Sequence, residues 1–267
     1  MTLKTFFHYL KTVFILDLKR NFAYPASFWI GLSVVPLWSV VNIVFIEVIY
    51  GQTSNFLGYT KYEMYVLFGT YRLAVNLAYF VFLKRLYELK SLIRGDSQET
   101  FDMVLVKPID SQLYGTFGKF SFIEVSQLIV GVVLIWFGLY KQPHHLTLFN
   151  LSAYLILFAC GVLFLYMLYL VLRCGIFWFH EFEVSEGLYE TARMFGKYPQ
   201  GLYTGPIGII INILLPVTLT GAIPVDFLFG RIPWYSLFAY IGITALLFFL
   251  TRLFWFQSIK KYASFSS

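Results

Sequence analysis

This sequence of 267 residues contains little charge and almost no cysteine. Charged residues make up 13% of the chain, against about 25% in an average soluble protein, while hydrophobic residues make up 59%. The two cysteines, Cys160 and Cys174, lie in one apolar stretch, where a helix would hold them about 21 Å apart. That separation excludes a disulfide between them, so we interpret both as small packing residues.

The common nucleotide-binding and catalytic motifs are also missing. No G-x-x-x-x-G-K-[ST] loop occurs, because the segment from Gly115 to Lys119 has neither the spacing nor the terminal hydroxyl. There is no G-x-S-x-G or H-E-x-x-H motif, no pair of aspartates in an apolar stretch, and no cysteine–histidine cluster. His144 and His145 stand alone in a short loop, which favours solvated residues over metal ligands. We therefore predict a chain that is not an enzyme and binds neither a cofactor nor a metal itself.

What the sequence does contain is six apolar stretches of membrane-spanning length. A hydrocarbon core of about 30 Å takes roughly 20 apolar residues per helix. The predicted spans are Pro25–Tyr50, Tyr62–Leu83, Phe120–Tyr140, Leu148–Leu172, Pro206–Ala222 and Trp234–Trp255. The predicted fold class is therefore all-α, a polytopic membrane protein with one transmembrane domain over residues 1–267.

The basic residues predict an orientation in the membrane. With the N-terminus inside, 16 of the 20 lysines and arginines, including Arg193 and Lys197, fall in cytoplasmic segments, and three fall in outer loops. This asymmetry follows the positive-inside rule and predicts that both termini are cytoplasmic. Basic edges facing anionic lipid also account for the net charge of +6, so we predict the lipid bilayer as a partner and no nucleic acid.

Residues 1–24 are predicted to form an interfacial helix and not a signal peptide. Lys4, Lys11 and Lys19 would share one face, and apolar side chains the opposite face, as in helices that lie along a membrane surface. Pro25 would end this helix and begin the turn into the first span.

The loop between the second and third spans contains a predicted short helix. Asp96 and Glu99 have the spacing of a capping pair, and Phe101 and Leu105 belong to an apolar stripe at helical spacing. Pro108 would end the helix, because the residue before a proline disfavours the helical conformation. A helix this short needs a surface that covers its stripe, and either the protein's own membrane face or a soluble partner would serve.

The region around the fifth span contains three predicted features. Glu186–Tyr203 is expected to form a second interfacial helix on the cytoplasmic side. The fifth span is short and contains Pro216, which removes a backbone donor and predicts a kink. Pro224–Pro233 is too apolar for an ordinary wet loop and too short to cross, so we predict a re-entrant segment at the outer face, with a hydrophobic outer loop as the alternative.

Two charged residues lie a full helical turn or more inside predicted spans. Arg72 lies near the middle of the second span, and Glu124 lies about one turn inside the third. Such residues face protein or water because lipid would not solvate them. The two would differ in depth by about 10 Å, so a structural pair, a contact to another subunit and a polar pathway for substrate all stay open.

The order of these features resembles a known family. Arg94-Gly-Asp-Ser-Gln-Glu-Thr-Phe-Asp102, followed by Leu105-Val-Lys-Pro-Ile109, is similar to the R-x-G … D-x-x-L-x-(K/R)-P signature of small bacterial type-2 ABC transporter permeases, which lack a fused ATPase. Further similar segments are Tyr198-Pro199, Leu215-Pro216, Ile223-Pro224 and Ser258-Ile-Lys-Lys-Tyr262. The resemblance covers essentially the whole chain, although the tail lacks the terminal glycine expected of the family.

The resemblance implies a permease subunit of an exporter in the bacterial plasma (inner) membrane. Separate ABC ATPase subunits would bind and hydrolyse the ATP with its magnesium, and a second copy or a paralogue would complete the pathway. Residues 94–108 would form the coupling helix region that contacts an ATPase. The implied coupling residues are Arg94, Gly95, Asp96, Glu99, Phe101, Asp102, Leu105, Lys107 and Pro108.

Two other classes of membrane protein remain as alternatives. A self-sufficient secondary carrier usually shows an internal repeat or ionisable residues at the membrane midplane, and here only Arg72 lies near the middle and no repeat is found. A membrane scaffold protein would have no ATPase gene beside its own. The sequence does not indicate a substrate, because its 30 Phe and 20 Tyr residues suit lipid-facing packing as well as an aromatic cargo.

Overall fold

The computed structural model describes residues 3–95, 99–107, 109–142, 146–178 and 184–262. Within these ranges the chain forms helices and no β-strand, which confirms the predicted all-α class. Some predicted features lie outside the described residues, namely Asp96, Pro108, His144, His145 and the tail after Tyr262.

Among the described residues, five helices are long and apolar enough to cross a membrane. They are Phe28–Gln52, Lys61–Arg94, Phe122–Lys141, Leu148–Phe177 and Ser236–Ile259. The first four predicted spans and the last one fall on these helices, which confirms a multi-pass membrane protein. The second of these helices has 34 residues, so the connection to the third begins about three turns later than predicted.

The chain begins with three helices in succession, α1 (Leu3–Ala23), α2 (Pro25–Val34) and α3 (Leu37–Gln52). Pro25 starts α2 at the first helical position, where its missing N–H has no partner to lose. Pro36 separates α2 from α3. The predicted first span is therefore divided into two helical pieces.

Helix α1 is attached to the rest of the chain by two polar contacts. The hydroxyl of Tyr9 donates to the carbonyl of Phe117 at 3.1 Å. The carboxylate of Asp17, which is buried, accepts the N–H of Phe120 at 2.8 Å. These contacts hold α1 against the segment that leads into the third long helix.

Helix α4 (Lys61–Ala78) continues through a π-helical turn at Tyr79–Leu83 into α5 (Lys84–Arg94). A capping box starts α4, in which Thr60 and Glu63 each accept the other's backbone N–H. Lys61 to Arg94 thus form one long helix with a single irregular turn in its second half.

Helix α8 (Val125–Lys141) packs along α4 at very short range. A Cβ atom on Gly69 would lie 2.8 Å from the carbonyl oxygen of Gly131, and one on Gly138 would lie 2.5 Å from the carbonyl oxygen of Tyr62. Small residues of this kind let two membrane helices approach until their backbones touch.

The remaining long helices are α9 (Leu148–Cys174) and α13 (Ser236–Ile259), which pack against each other. Cys160 and Cys174 are buried in α9 and form no disulfide, as predicted for packing residues. Two short helices, α6 (Phe101–Val106) and α7 (Ser111–Thr116), lie in the connection between α5 and α8.

The predicted fifth span, Pro206–Ala222, is not one continuous helix. Helix α11 (Gly205–Ile209) runs into a π-helical turn, Ile210–Leu214, and the chain then breaks at Pro216. The break exceeds the predicted kink because Pro216 adopts a ψ of 63°, outside the helical region.

A buried irregular segment follows this break. It consists of a 3₁₀ turn, Val217–Thr220, and helix α12 (Ala222–Leu228). Every residue from 216 to 228 is buried. The buried segment therefore begins at Pro216 and not at Pro224, where the sequence predicted its start.

The position of the predicted second cytoplasmic helix, Glu186–Tyr203, also needs correction. Helix α10 (Ser185–Met194) and the residues that follow it as far as Leu202 run antiparallel to α4. Residues 185–202 are called the α10 segment below. The contacts that show this are Glu190 with Tyr79 (2.6 Å), Arg193 with Tyr71 (3.1 Å), and Gly201 beside Leu57. Arg193 and Lys197, which were counted with the cytoplasmic residues, therefore lie beside the middle of the second span.

Candidate functional site

The junction between α5 and α6 contains a sharp turn at Gly95. This residue ends α5 in the left-handed conformation, with a φ of 72°, and its N–H bonds to the carbonyl of Ser91. Glycine adopts this conformation without the strain that a Cβ would add.

The ends of α6 agree only in part with the prediction. Lys107 has an extended ψ of 141°, so the helix stops before Pro108 as predicted. At the other end, the N-cap residue is Thr100. Glu99 lies before this cap and not at the third helical position that the predicted capping pair requires.

One face of α6 is buried in the protein itself. Phe101 is fully buried, and its ring centroid lies 5.2 Å from that of Phe177, 6.2 Å from that of Trp255 and 5.0 Å from that of Tyr262. Val104 is also fully buried. The predicted stripe is thus covered by the chain, and Phe101 anchors the helix instead of facing a partner.

The opposite face of α6 is open. Val106 is 85% exposed, Met103 51% and Leu105 39%. Asp102 is half-buried and faces the hydroxyl of Tyr262. Burial first, and then this carboxylate, raise the pKa of Tyr262. Of the predicted stripe, only Leu105 faces outward, and Met103 and Val106 are surface residues that sequence reasoning did not select.

Glu99 connects α6 to its neighbours on both sides. Its carboxylate accepts from Arg85 of α5 at 2.9 Å, from Lys107 at 3.1 Å and from the hydroxyl of Tyr114 of α7 at 2.8 Å. Burial alone would raise the pKa of this carboxyl, but the three hydrogen bonds outweigh it and lower the pKa to about 2. Glu99 therefore acts as a charged clamp around α6.

A second clamp joins the same region to α13. Asp110 caps α7 by accepting the N–H groups of Gln112 and Leu113, each at 3.1 Å, and also accepts from Arg252 at 2.8 Å. The hydrogen bonds from Arg252 are the main reason that the pKa of Asp110 is lowered. Sequence analysis did not select Asp110, although an aspartate directly before Ser-Gln-Leu is a recognisable N-cap signal.

Arg72 and Glu124 do not form an ion pair. A guanidinium nitrogen of Arg72 donates to the hydroxyl of Ser39 at 2.9 Å, and that hydroxyl donates to the side-chain oxygen of Gln127 at 2.7 Å. Within the part of the chain that the structure describes, the carboxylate of Glu124 has no hydrogen bond or salt bridge, and only its backbone N–H is bonded, to the carbonyl of Ser121 at 3.0 Å. The polar network around Arg72 thus joins α3, α4 and α8.

A cavity of about 350 Å³ lies next to this network. Its wall consists of residues from α3, α4, α8 and the α10 segment, namely Val35, Trp38, Asn42, Phe68, Tyr71, Arg72, Asn76, Gln127, Arg193, Met194 and Lys197. Three cations and no carboxylate line it. Arg193 also forms an ion pair with Glu190 in α10.

A smaller, apolar cavity of about 90 Å³ adjoins the first one. Both cavities include Asn42, Phe68 and Lys197 in their walls. The other residues around the small cavity are Phe45, Ile46, Ile49, Tyr50, Phe56, Met64, Tyr198 and Leu202. A charged space and an apolar space therefore follow one another along α4.

The residues Pro216 and Pro224 lie in the buried segment, which packs against α9 and α4. Beyond them, Asp226 accepts from the hydroxyl of Tyr59, and Arg231 pairs with Glu63 at 2.6 Å. These contacts tie α12 to the start of α4. They are long-range pairs, and no local sequence signal distinguishes them.

A comparison with protein-family profiles matches residues 36–266 to the family described as ABC-2 family transporter protein. The chain belongs to the ABC-2 transporter family. The match extends from the start of α3 beyond α13, and it confirms the resemblance to type-2 ABC permeases. Searches of the curated proteins and of the solved structures found no significant match. This ABC-2 protein is therefore a transmembrane component of an ABC transporter.

Proposed function

We propose that this ABC-2 protein is the permease subunit of an exporter that uses ATP hydrolysed by separate ABC ATPase subunits. A second copy or a paralogue completes the pathway in the bacterial plasma (inner) membrane, with both termini cytoplasmic. The direction of transport rests on the resemblance to the small bacterial permeases. The coupling residues carried over from that resemblance include Arg94, Gly95, Asp102 and Leu105.

The observation that supports this proposal most strongly is the two-faced construction of α6. Phe101 fixes the helix to the protein's own core, and Glu99 holds it to α5 and α7. Met103 and Val106 project away from that attachment. A helix of six residues with so exposed an apolar face gains stability when a partner covers it.

The helix arrangement suggests how a motion of α6 would reach the pathway. The α10 segment runs along α4 and is proposed to be the fifth crossing, which gives six crossings in all. The helix pair from α11 to α12 is proposed to be a re-entrant hairpin, since non-helical backbone within a membrane must be buried in protein. Movement of α6 with α5 would then tilt α4 against α3 and the α10 segment, as rigid-body alternating access requires.

The partner is tested by co-purification of the tagged chain from its native membrane. Val106→Asp places a charge on the exposed face of α6 and is expected to release a bound ATPase. The matched control is Leu57→Asp, the same kind of substitution at a 43% exposed leucine at the opposite end of α4. Phe101 is not suitable for this test, because its replacement would disturb the protein's own core.

The proposal is supported if an ABC ATPase co-purifies with the wild-type chain and with Leu57→Asp but is lost from Val106→Asp. It fails if no ATPase co-purifies with any of them. A carrier or scaffold would then be the better description.

The orientation is tested with a membrane-impermeant thiol reagent on intact cells. Because Cys160 and Cys174 are buried, single exposed cysteines can be labelled over a low background. Leu57→Cys is expected to react from outside, and Val106→Cys only after the membrane is permeabilised. Labelling of Val106→Cys in intact cells would reverse the proposed orientation.

A further inference from the structure

The cavity between α3, α4 and the α10 segment has a charge that points to a class of substrate. This inference rests on the proposed function, because it treats the cavity as part of the transport pathway. Arg72, Arg193 and Lys197 all contribute to its wall, beside the middle of a membrane-spanning helix. Charged residues at such depths are costly and commonly mark a substrate or ion pathway.

The positive charge of the cavity is only partly compensated. Glu190 forms an ion pair with Arg193, and Glu124 acts on Arg72 from a distance without contact. Neither carboxylate belongs to the cavity wall. Among the residues that the structure describes, Lys197 forms no salt bridge and lies over the ring of Tyr198, 5.0 Å from its centroid. The wall thus presents more cationic than anionic charge.

Two of the cations also carry donors that the described residues do not use. The Nε atoms of Arg72 and Arg193 are buried and have no acceptor. The contacts that these two guanidinium groups do make are to neutral oxygens, of Ser39 and Tyr71, and to the carboxylate of Glu190. A buried guanidinium N–H without an acceptor is destabilising, and an anionic ligand would supply the missing acceptor.

The adjoining apolar cavity indicates that the ligand also has an apolar part. It continues from Phe68 and Lys197 towards Met64 and Leu202, and apolar and aromatic side chains dominate its wall. An anion bound at Arg72 and Lys197 would therefore have an apolar space immediately beside it. A free inorganic anion would leave that space unused.

We propose that the two cavities together form a binding site for an anionic amphiphile, whose phosphate or carboxylate contacts Arg72, Arg193 and Lys197 and whose apolar chain enters the space between Phe45, Met64 and Leu202. Guanidinium groups suit such head groups because they offer several N–H donors in a fixed plane.

The test measures equilibrium binding to the full chain in nanodiscs of phosphatidylcholine, with empty nanodiscs as the background. The probes are dodecyl phosphate, dodecylphosphocholine, which has the same tail without the net charge, and inorganic phosphate. The variants are Lys197→Gln and Arg72→Gln, and the matched control is Lys260→Gln, an exposed lysine at the end of α13. If Arg72→Gln fails to fold, Lys197→Gln carries the test, because the side chain of Lys197 has no hydrogen bond or salt bridge to another described residue.

We expect dodecyl phosphate to bind at least about tenfold more tightly than dodecylphosphocholine, and Lys197→Gln to weaken it by roughly tenfold. Lys260→Gln should bind as the wild type does. Equal affinity for the two amphiphiles, or no effect of Lys197→Gln, overturns the proposal. Inorganic phosphate binding as tightly as dodecyl phosphate overturns the amphiphile assignment, since the tail would then contribute nothing.

This experiment does not depend on the ATPase. If the amphiphile binds as expected but no ATPase co-purifies, the site stands and the exporter proposal fails. If the ATPase co-purifies but binding shows no preference for charge, the site fails alone.

Discussion

The α6 region and the segment Pro216–Leu228 are both made of short, irregular helices, but they are held in opposite ways. Side chains hold α6 by the aromatic contacts of Phe101 and the charged clamp of Glu99, and its other face is exposed. The segment Pro216–Leu228 has no exposed face, and backbone contacts hold it. The exposed face of α6 is available to a binding partner, whereas the segment Pro216–Leu228 is part of the protein's interior and has no surface to offer.

Glycines allow the close backbone contacts of the segment Pro216–Leu228. A Cβ on Gly161 would lie 2.2 Å from the carbonyl oxygen of Leu219, and one on Gly221 would lie 2.6 Å from the carbonyl oxygen of Gly196. No side chain fits at these contacts. The backbone of the buried segment is therefore placed directly against α9 and the end of α10.

The largest effect is expected from Phe101→Ala, which removes the aromatic anchor of α6. Loss of a buried phenylalanine costs about 3–5 kcal/mol, and here the cost falls on the attachment of one helix. Hydrogen exchange of the amides of residues 101–106 should accelerate strongly. Met103→Ala, on the exposed face of the same helix, is the control and should leave exchange nearly unchanged. Equal acceleration in both variants would show that Phe101 is not the anchor.

In the second region, Gly161→Ala is expected to destabilise the whole protein by about 3 kcal/mol, because the added methyl group meets backbone that cannot rotate away. The apparent melting temperature in detergent measures this. Gly187→Ala is the control, since its Cβ would meet nothing within 4 Å. There, alanine should stabilise α10 by about 0.5–1 kcal/mol. Similar melting temperatures for the two variants would contradict backbone contact at Gly161.

A smaller and pH-dependent effect is expected from Glu99→Gln. The folded pKa of Glu99, about 2, lies below its ordinary value of 4.5, so its stabilisation is complete above pH 4.5 and is lost as the pH falls towards 2. At pH 7 the variant should be less stable than the wild type by about 2 kcal/mol. Thermal unfolding at pH 7 and pH 3 should show that this gap narrows in acid. A gap that stays constant would mean that Glu99 is not a charged clamp.

The smallest effect is expected at Val106, the most exposed apolar residue of α6. Val106→Ser should change the free energy of unfolding by less than about 0.5 kcal/mol. Its neighbour Val104, fully buried, provides the matched comparison, and Val104→Ser should cost several times more. If both substitutions destabilised the isolated protein equally, α6 would have no free face. It would then not differ in this respect from the buried segment Pro216–Leu228.

Hydropathy predicted most of the fold because lipid demands long apolar helices wherever the chain crosses. It failed for the α10 segment, since Glu190 and Arg193 are compensated by each other and by Tyr79 and Tyr71, which lie more than a hundred residues away. Local sequence shows the charge but not its distant partner. The segment was therefore interpreted as a surface helix.

The candidate site, which comprises α6 and the charged cavity, was predictable from the sequence about as far as the fold was. The pattern around Phe101 and Pro108 correctly indicated a short helix, because periodicity and a proline are local signals. Which face the protein itself covers depends on Phe177 and Trp255, and periodicity cannot reveal that. The cavity cations Arg193 and Lys197 were missed for the same reason as the α10 segment, while Arg72 was found because it interrupts an apolar run.

The π-helical turn at Tyr79–Leu83 has a mechanical consequence. On one side of it, α4 is fixed along α8 by glycine contacts, and on the other side α5 is joined to α6 through Arg85 and Glu99. Wider turns have weaker backbone hydrogen bonds, so we expect bending to concentrate there. At 1.5 Å per residue, a bend of about 10° would displace Arg94 by about 4 Å. Movement of α6 would thus bend the long helix first at this turn, and α4 and α8, which their glycine contacts hold together, would then tilt as one unit.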